Sequence, residues 1–185
     1  MKSIFALFII LSTLTALANS DELVLGIFRQ STTENVTTGS RTAPRPGFGL
    51  GARASFDFNP WFYSRLGFMV ERRTFSEIIA SVEHNPEIFT FDLQTQFGYQ
   101  LGPLVSIFAG PQFSVLLSKN CKPTAGPCLI SDDPEKYIVP LQFGIDFNFL
   151  NAFGAELFYE LISQEHWPKT FKSAQSYGLN LTYKF

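Results

Sequence analysis

The last ten residues, Ser176 to Phe185, read SYGLNLTYKF. In steps of two, one set of residues is aromatic or aliphatic: Tyr177, Leu179, Leu181, Tyr183 and Phe185. The alternate set is small or polar: Ser176, Gly178, Asn180, Thr182 and Lys184. Successive side chains of a β-strand point to opposite faces, so a period of two indicates a strand between two different surroundings. The chain end therefore predicts a strand with one apolar and one polar face.

The same alternation recurs along the chain. It is clearest in FGLGARASFDF (48–58), FTFDLQTQFGY (89–99), YIVPLQFGIDFNF (137–149) and AFGAELFYEL (152–161). No helix has this period. Together with weaker segments, the pattern predicts eight strands, at 22–30, 47–58, 61–73, 87–100, 103–117, 135–149, 151–162 and 174–185.

The connections between these strands alternate in length. Three are tight turns, near Asn59-Pro60, 101–103 and 150–151, and four are long polar segments, near 31–46, 74–86, 118–134 and 163–173. Short turns then lie at one end of the molecule, together with both termini, and long loops at the other. The pattern predicts an all-β fold, an eight-stranded antiparallel up-and-down barrel closed by pairing of the last strand with the first.

Two strand prolines, Pro111 and Pro140, oppose this prediction, because a closed barrel has no edge strand to accommodate a residue that lacks its N–H. A local bulge at each proline is the expected solution. Both histidines, His84 and His166, are predicted to lie in long loops.

Alternation alone does not say which face points outward. A lipocalin-like secreted barrel places its apolar residues inside, whereas a membrane barrel places them against lipid. The polar face here is rich in glycine, which suits the crowded interior of an eight-stranded barrel. Aromatic residues crowd the strand ends, where interfacial girdles belong, and the strands are long enough to cross a bilayer. The prediction is a transmembrane β-barrel with a polar interior.

The chain begins with a pattern typical of a secretory signal peptide. It has Lys2, an apolar run over 4–11, and small residues at Ala16 and Ala18. We predict a signal peptide over 1–18 and one barrel domain over 19–185. The 14 basic and 16 acidic side chains leave a net charge of −2, which argues against a nucleic-acid partner.

The predicted interior face carries a set of charged residues. They are Arg53, Asp57, Arg65, Glu71, Arg73, Asp92, Asp146, Glu156, Glu160 and Lys184. The arginines lie on strands two and three, and the acids of strands six and seven lie roughly across the ring. Because a buried charge must be paired, we predict a salt-bridged plug that fills the bore.

The two cysteines, Cys121 and Cys128, flank a short segment rich in proline and glycine. In an exported protein this arrangement predicts a disulfide that closes a tight loop. The sequence shows too few neighbouring ligands for a metal site, and we expect neither a metal nor a cofactor.

The chain end resembles the C-terminal signal by which bacterial outer-membrane barrels are recognised for assembly. The matching residues are Ser176, Gly178, Leu181, Tyr183 and Phe185. The layout is similar to the small OmpX-like and OmpA-like barrels. FAGPQFSVLLS (108–118) and KYIVPLQFGIDFNF (136–149) resemble strands five and six of the PorT-type outer-membrane β-barrel domains, which tolerate prolines there. The resemblance implies an outer-membrane location, with membrane lipids and the barrel-assembly machinery as partners, and it implies no activity.

These observations predict a monomeric outer-membrane protein with a structural or loop-mediated interaction or adhesion role, without naming the ligand of the loops. Two alternatives stay open, a narrow channel and a lipid-modifying enzyme. A hydrolase would need a nucleophile, a histidine base and an orienting acid held together. The His-x-Ser pattern of the lipid A deacylase barrels is missing, so we expect no enzymatic activity.

Overall fold

Eight strands of the computed structural model form a closed barrel. The structure describes residues 20–34, 45–74, 77–79, 82–123, 136–150, 152–162 and 171–185. The barrel strands are β1 Ser20–Glu34, β2 Arg45–Asp57, β3 Phe62–Thr74, β4 Val82–Gln100, β5 Val105–Pro123, β6 Leu141–Leu150, β7 Phe153–Ile162 and β8 Phe171–Lys184. Two short strands extend the sheet, Glu77–Ile79 beside β4 and Tyr137–Ile138 beside β5. Among the described residues, no helix is long and apolar enough to span a membrane.

Every barrel strand pairs antiparallel with the next one, and the ring closes between β8 and β1. The closing ladder runs from Glu22 opposite Lys184 to Glu34 opposite Phe171. Closure removes the sheet edges, so the backbone donors and acceptors of the first and last strands are hydrogen-bonded within the protein. The predicted eight-stranded antiparallel barrel is confirmed. The signal-peptide segment 1–18 lies outside the described residues, and its cleavage stays a prediction.

The hairpin of β4 and β5 is longer than predicted. The two strands continue to His84 opposite Pro123, past a register shift between Phe89 and Thr90. The sequence predicts His84 and Cys121 in loops, and both positions lie on strands instead. That prediction is wrong because polar segments without alternation can still pair through their backbones. His166 and Cys128 lie outside the described residues, so the disulfide stays a prediction.

The two prolines cause no bulge, which corrects the expectation of one at each. Pro111 pairs with Leu141, and three residues further along each strand Ser114 pairs with Ile138, so the register is unchanged. The Gln112 N–H donates to the Pro140 carbonyl at 2.9 Å. Proline lacks a donor but keeps its acceptor, and the ladder uses that acceptor. As a result, the strand is interrupted at residues 139 and 140, between Tyr137–Ile138 and β6.

The apolar face of the barrel points outward. Leu157 is 50% exposed, whereas its neighbour Glu156 on the same strand is 0% exposed. The same contrast holds around the ring, where aliphatic and aromatic side chains cover the outside, and charged side chains and glutamines are buried within. A water-soluble protein has the opposite arrangement, with apolar side chains buried and charged side chains exposed. The observed arrangement confirms the predicted assignment of the two faces.

Aromatic residues gather at the short-turn end, as predicted. The turn between β2 and β3 is held by the Asn59 side-chain oxygen, which accepts hydrogen bonds from the Trp61 and Phe62 N–H groups at 2.8 and 2.9 Å. This turn places both rings beside Tyr99, with centroids 6.4 and 4.9 Å from that of the tyrosine. Tyr183 packs on Phe153 at the same end. The cluster has the form of an interfacial aromatic girdle.

Candidate functional site: the charged bore

The bore contains two groups of ion pairs. We call the group nearer the short turns the turn-side tier, which consists of Glu22, Arg53, Tyr63, Arg65, Asp146 and Glu156. We call the other group the loop-side tier, which consists of Glu71, Arg73, Asp92 and Glu160. Apart from Tyr63, the residues of both tiers carry charges, and all are buried.

In the turn-side tier, two arginines from β2 and β3 meet one acid across the bore. Arg53 Nη1 lies 2.6 Å and Arg65 Nη1 lies 3.0 Å from the same Glu156 oxygen, on β7. Arg53 Nε also contacts Glu22 at 2.6 Å, and Arg65 forms an ion pair with Asp146. These ion pairs therefore connect β1, β2, β3, β6 and β7 through side chains alone.

Neutral groups complete this tier. The Tyr63 hydroxyl donates to Asp146 at 2.8 Å and accepts from Arg65 at 2.7 Å. Asn180 donates to Glu156 at 2.6 Å. Buried carboxylates with several donors are the arrangement in which the loss of hydration is best offset.

In the loop-side tier, three acids converge on one arginine. Arg73 donates to both oxygens of Glu160, at 2.5 and 3.1 Å. Its Nη2 also lies 2.7 Å from Glu71 and 3.8 Å from Asp92. Ser176 donates to Glu160 at 3.3 Å, and Thr90 donates to Asp92 at 3.1 Å.

Uncharged side chains fill the space between the tiers. Gln94 donates to Gln112 at 3.1 Å, and Gln96 donates to Gln142 at 2.7 Å. Across from these amides, Met69 occupies the room left by glycines. A Cβ added to Gly49 would lie 2.8 Å from Met69 Cε, so a larger residue could not share this space without displacing the methionine.

Most of the predicted interior charges are brought together by the fold. Eight of them belong to one or other of the two tiers: Arg53, Arg65, Glu71, Arg73, Asp92, Asp146, Glu156 and Glu160. Lys184 lies at the rim, with its Nζ 2.9 Å from Asn148 Oδ1 and 3.5 Å from Glu22. Asp57 lies outside both tiers, exposed at the end of β2 where the strand leaves the bore.

Sequence reasoning missed three kinds of interior residue. Glu22, 3% exposed, was overlooked because LVLGIF hardly distinguishes its two faces, although its parity with Val24 and Gly26 assigns it inward. The four glutamines and Tyr63 carry no charge. Phe108 and Phe158 are buried inside although apolar, and both pair with Gly144. A glycine directly across from an inward aromatic residue was the available signal.

The residues of the predicted assembly signal divide between the two faces. Ser176 is buried in the bore, and Leu181, Tyr183 and Phe185 are exposed on the outside. Their recognition by an assembly machinery stays a prediction.

His84 lies on β4 with 0% of its surface exposed, in contrast to the solvated loop position that the sequence predicts. Neither ring nitrogen has a hydrogen-bond partner among the described residues. Glu165 and His166 lie outside those residues. The expectation that the chain is not an enzyme stays a prediction.

The fold defines a class, the small closed eight-stranded barrels with an apolar outside. Among solved structures, the chain is similar to Ail, the attachment invasion locus protein of Yersinia pestis. The crystal structure matches with a TM-score of 0.54 and 15% identity, covering 90% of this chain and 98% of Ail. The Ail backbone structure in a phospholipid bilayer nanodisc matches with a TM-score of 0.51 and 17% identity, covering 90% and 99%.

Neisserial surface protein A matches with a TM-score of 0.51 and 13% identity, covering 89% of this chain and 95% of that protein. At these identities the likeness establishes the fold alone, that of outer-membrane β-barrels. No protein-family profile matches the sequence, and no curated protein does. The resemblance to PorT-type domains therefore stays a prediction.

Proposed function

We propose that the chain is an integral protein of the bacterial outer membrane with a sealed bore, and that it acts through its outer surface and long loops, in a structural or adhesion role. One observation carries this proposal. The two arginines Arg53 and Arg65 reach across the bore to Glu156, while the outer wall is apolar. A sealed interior leaves the outside of the barrel as the surface available for recognition.

The apolar wall supports the membrane location. Large exposed apolar patches on a protein mark an interaction surface, and here the patch runs around the whole ring. A closed barrel is also one of the two structures that satisfy every backbone group in hydrocarbon. The outer membrane is the proposed compartment because the fold is that of outer-membrane barrels.

The topology supports a role for the long segments. The strand ends that lead into 35–44, 124–135 and 163–170 lie opposite the end that carries Ser20 and Phe185. With the termini on the periplasmic side, the strand ends that lead into these segments face the cell exterior. Ail is named as an attachment invasion locus protein, and a similar surface role is the one we propose for this chain.

The alternative of a narrow channel is tested by conductance. We expect the purified protein, reconstituted in planar bilayers, to show no steady ion current, because both tiers and the glutamines occupy the bore. Heat-modifiable gel mobility of outer-membrane fractions serves as the control that a folded barrel is present. A steady current from folded protein would contradict the sealed bore. A chain that stays in the soluble fraction would contradict the membrane location.

A further inference from the structure

We propose that a groove on the outer wall of the barrel holds one acyl chain of a phosphate-bearing lipid from the loop-side leaflet, with the phosphate at the level of Arg29. The inference rests on the proposed membrane location and adds a defined lipid site to it. It starts from a depression in the apolar face where β7, β8, β1 and β2 lie side by side.

The groove is apolar and open to the outside. Its volume is about 640 Å³, within the range of sites that hold small ligands. Its walls include Ile27, Leu157 and Tyr177, which are about half exposed or more on the outer face. Lipid tails are as apolar as these walls, so van der Waals packing decides what fills the groove. A flexible acyl chain can follow such a depression and restore those contacts.

Two glycines explain why the wall is recessed at this point. Gly47 and Gly178 both line the groove, and Gly178 pairs with Phe158, which is buried in the bore. A glycine adds no side chain to the wall and allows a sharp bend of the sheet. The outward side chains on either side of the bend spread apart, and the space between them stays open on the outer side.

The loop-side end of the groove has a basic residue in its ladder. Arg29 pairs with Pro46 on one side and with Tyr177 on the other, and both partners line the groove. Arg29 also has the sequence parity of Leu25 and Ile27, which are exposed on the outer face. A basic residue where an apolar wall ends attracts an anionic headgroup. Charge complementarity therefore favours a lipid that carries phosphate.

A second depression of the outer wall lacks this charge. It has a volume of about 500 Å³ and lies at Gly144, between Ile107, Phe143 and Leu157. Within the described ladders, no basic residue pairs with any residue that lines it. The two depressions share an apolar lining and a glycine, and the charge at one end distinguishes the first. We therefore assign the phosphate-bearing lipid to the first groove.

The first test compares two tryptophan substitutions on β1, Ile27→Trp and Leu25→Trp. Ile27 lines the groove, whereas Leu25, exposed on the same face, does not. Native mass spectrometry counts the lipids that the purified protein retains after release from vesicles of phosphatidylglycerol and phosphatidylcholine with identical acyl chains. We expect Ile27→Trp to retain one lipid fewer than the wild type, and Leu25→Trp to retain the same number. Equal retention by the two variants, or no lipid on the wild type, would overturn the inference.

The second test removes the charge. In an equal mixture of the two lipids, the wild type should retain phosphatidylglycerol over phosphatidylcholine by about fivefold, the effect of one basic residue near an anionic lipid surface. Arg29→Gln should lose this preference, whereas Arg72→Gln, a partly exposed arginine on β3, should keep it. No preference in the wild type, or an unchanged preference in Arg29→Gln, would overturn the inference. A dimer that Ile27→Trp dissociates would assign the groove to a second copy of the chain and overturn it as well.

Heat-modifiable mobility reports whether each variant forms a barrel. If Ile27→Trp forms none, the comparison of Arg29→Gln with Arg72→Gln still decides the inference. A chain that stays in the soluble fraction would contradict the proposed membrane location. A folded barrel in the membrane that retains no phosphate-bearing lipid would contradict the groove alone.

Discussion

Arg65→Ala should lower the free energy of unfolding by about 3–5 kcal/mol, the cost of breaking a buried ion pair by removing one partner. Arg65 contacts both Asp146 and Glu156, so its loss leaves two buried acids with less positive charge. It also removes a donor to Tyr63, which itself donates to Asp146. Urea unfolding from phospholipid vesicles, followed by tryptophan fluorescence, measures the effect.

The matched control is Arg72→Ala, on the outer face of the same strand, β3. Arg72 forms an ion pair with Glu87, but its side chain is 32% exposed. Glu87 is buried, but Arg72 keeps part of its hydration and its removal affects one acid rather than two, so we expect a loss of about 1 kcal/mol, well below that for Arg65→Ala. Equal losses for Arg65→Ala and Arg72→Ala would show that the interior network contributes no special stability. We expect Arg65→Ala to open no wide pore despite its larger loss of stability, because Met69 and the glutamines still fill the bore.

Leu157→Arg should cost about 2–4 kcal/mol, the penalty for a cation on the lipid face near the bilayer midplane. Leu157 lies at the middle of β7, and it pairs with Ile145 and Leu179. On a water-facing surface the same change would have an effect within about 0.5 kcal/mol. The prediction therefore depends on the apolar wall being in hydrocarbon, and the same unfolding assay measures it.

The control for this substitution is Leu104→Arg, in the turn that joins β4 to β5. Leu104 is at least as exposed as Leu157, but it lies at the level of the aromatic girdle. There an arginine can reach water, and the cost should fall to about 0–1 kcal/mol. A loss that does not depend on depth would contradict the membrane orientation.

The strands and the assignment of their faces could be predicted from the sequence because both depend on a local period. Phe91, Leu93 and Phe97 alternate with Asp92, Gln94 and Gln96, and that pattern needs no knowledge of neighbours. The interior charges followed from the same parity, and those on β2 and β3 indeed face those on β6 and β7.

The features that depend on register could not be predicted in this way. The pairing of His84 with Pro123 depends on a shift at Phe89 that no local pattern encodes. The unbroken register across Pro111 and Pro140 depends on which groups of the neighbouring strand face each proline. The division of the charges into two tiers likewise depends on the stagger of β3 against β7.

The most direct test of the central claim is a spin-label measurement at Leu93 and Leu157, with the exposed Pro60 in the short turn as the water-exposed reference. In vesicles, we expect labels at Leu93 and Leu157 to collide readily with molecular oxygen, which concentrates in hydrocarbon, and rarely with a water-soluble nickel chelate. The label at Pro60 should show the opposite preference. Ready collision of the chelate with labels at Leu93 and Leu157 would mean that the apolar wall faces water, and it would contradict the proposed membrane barrel.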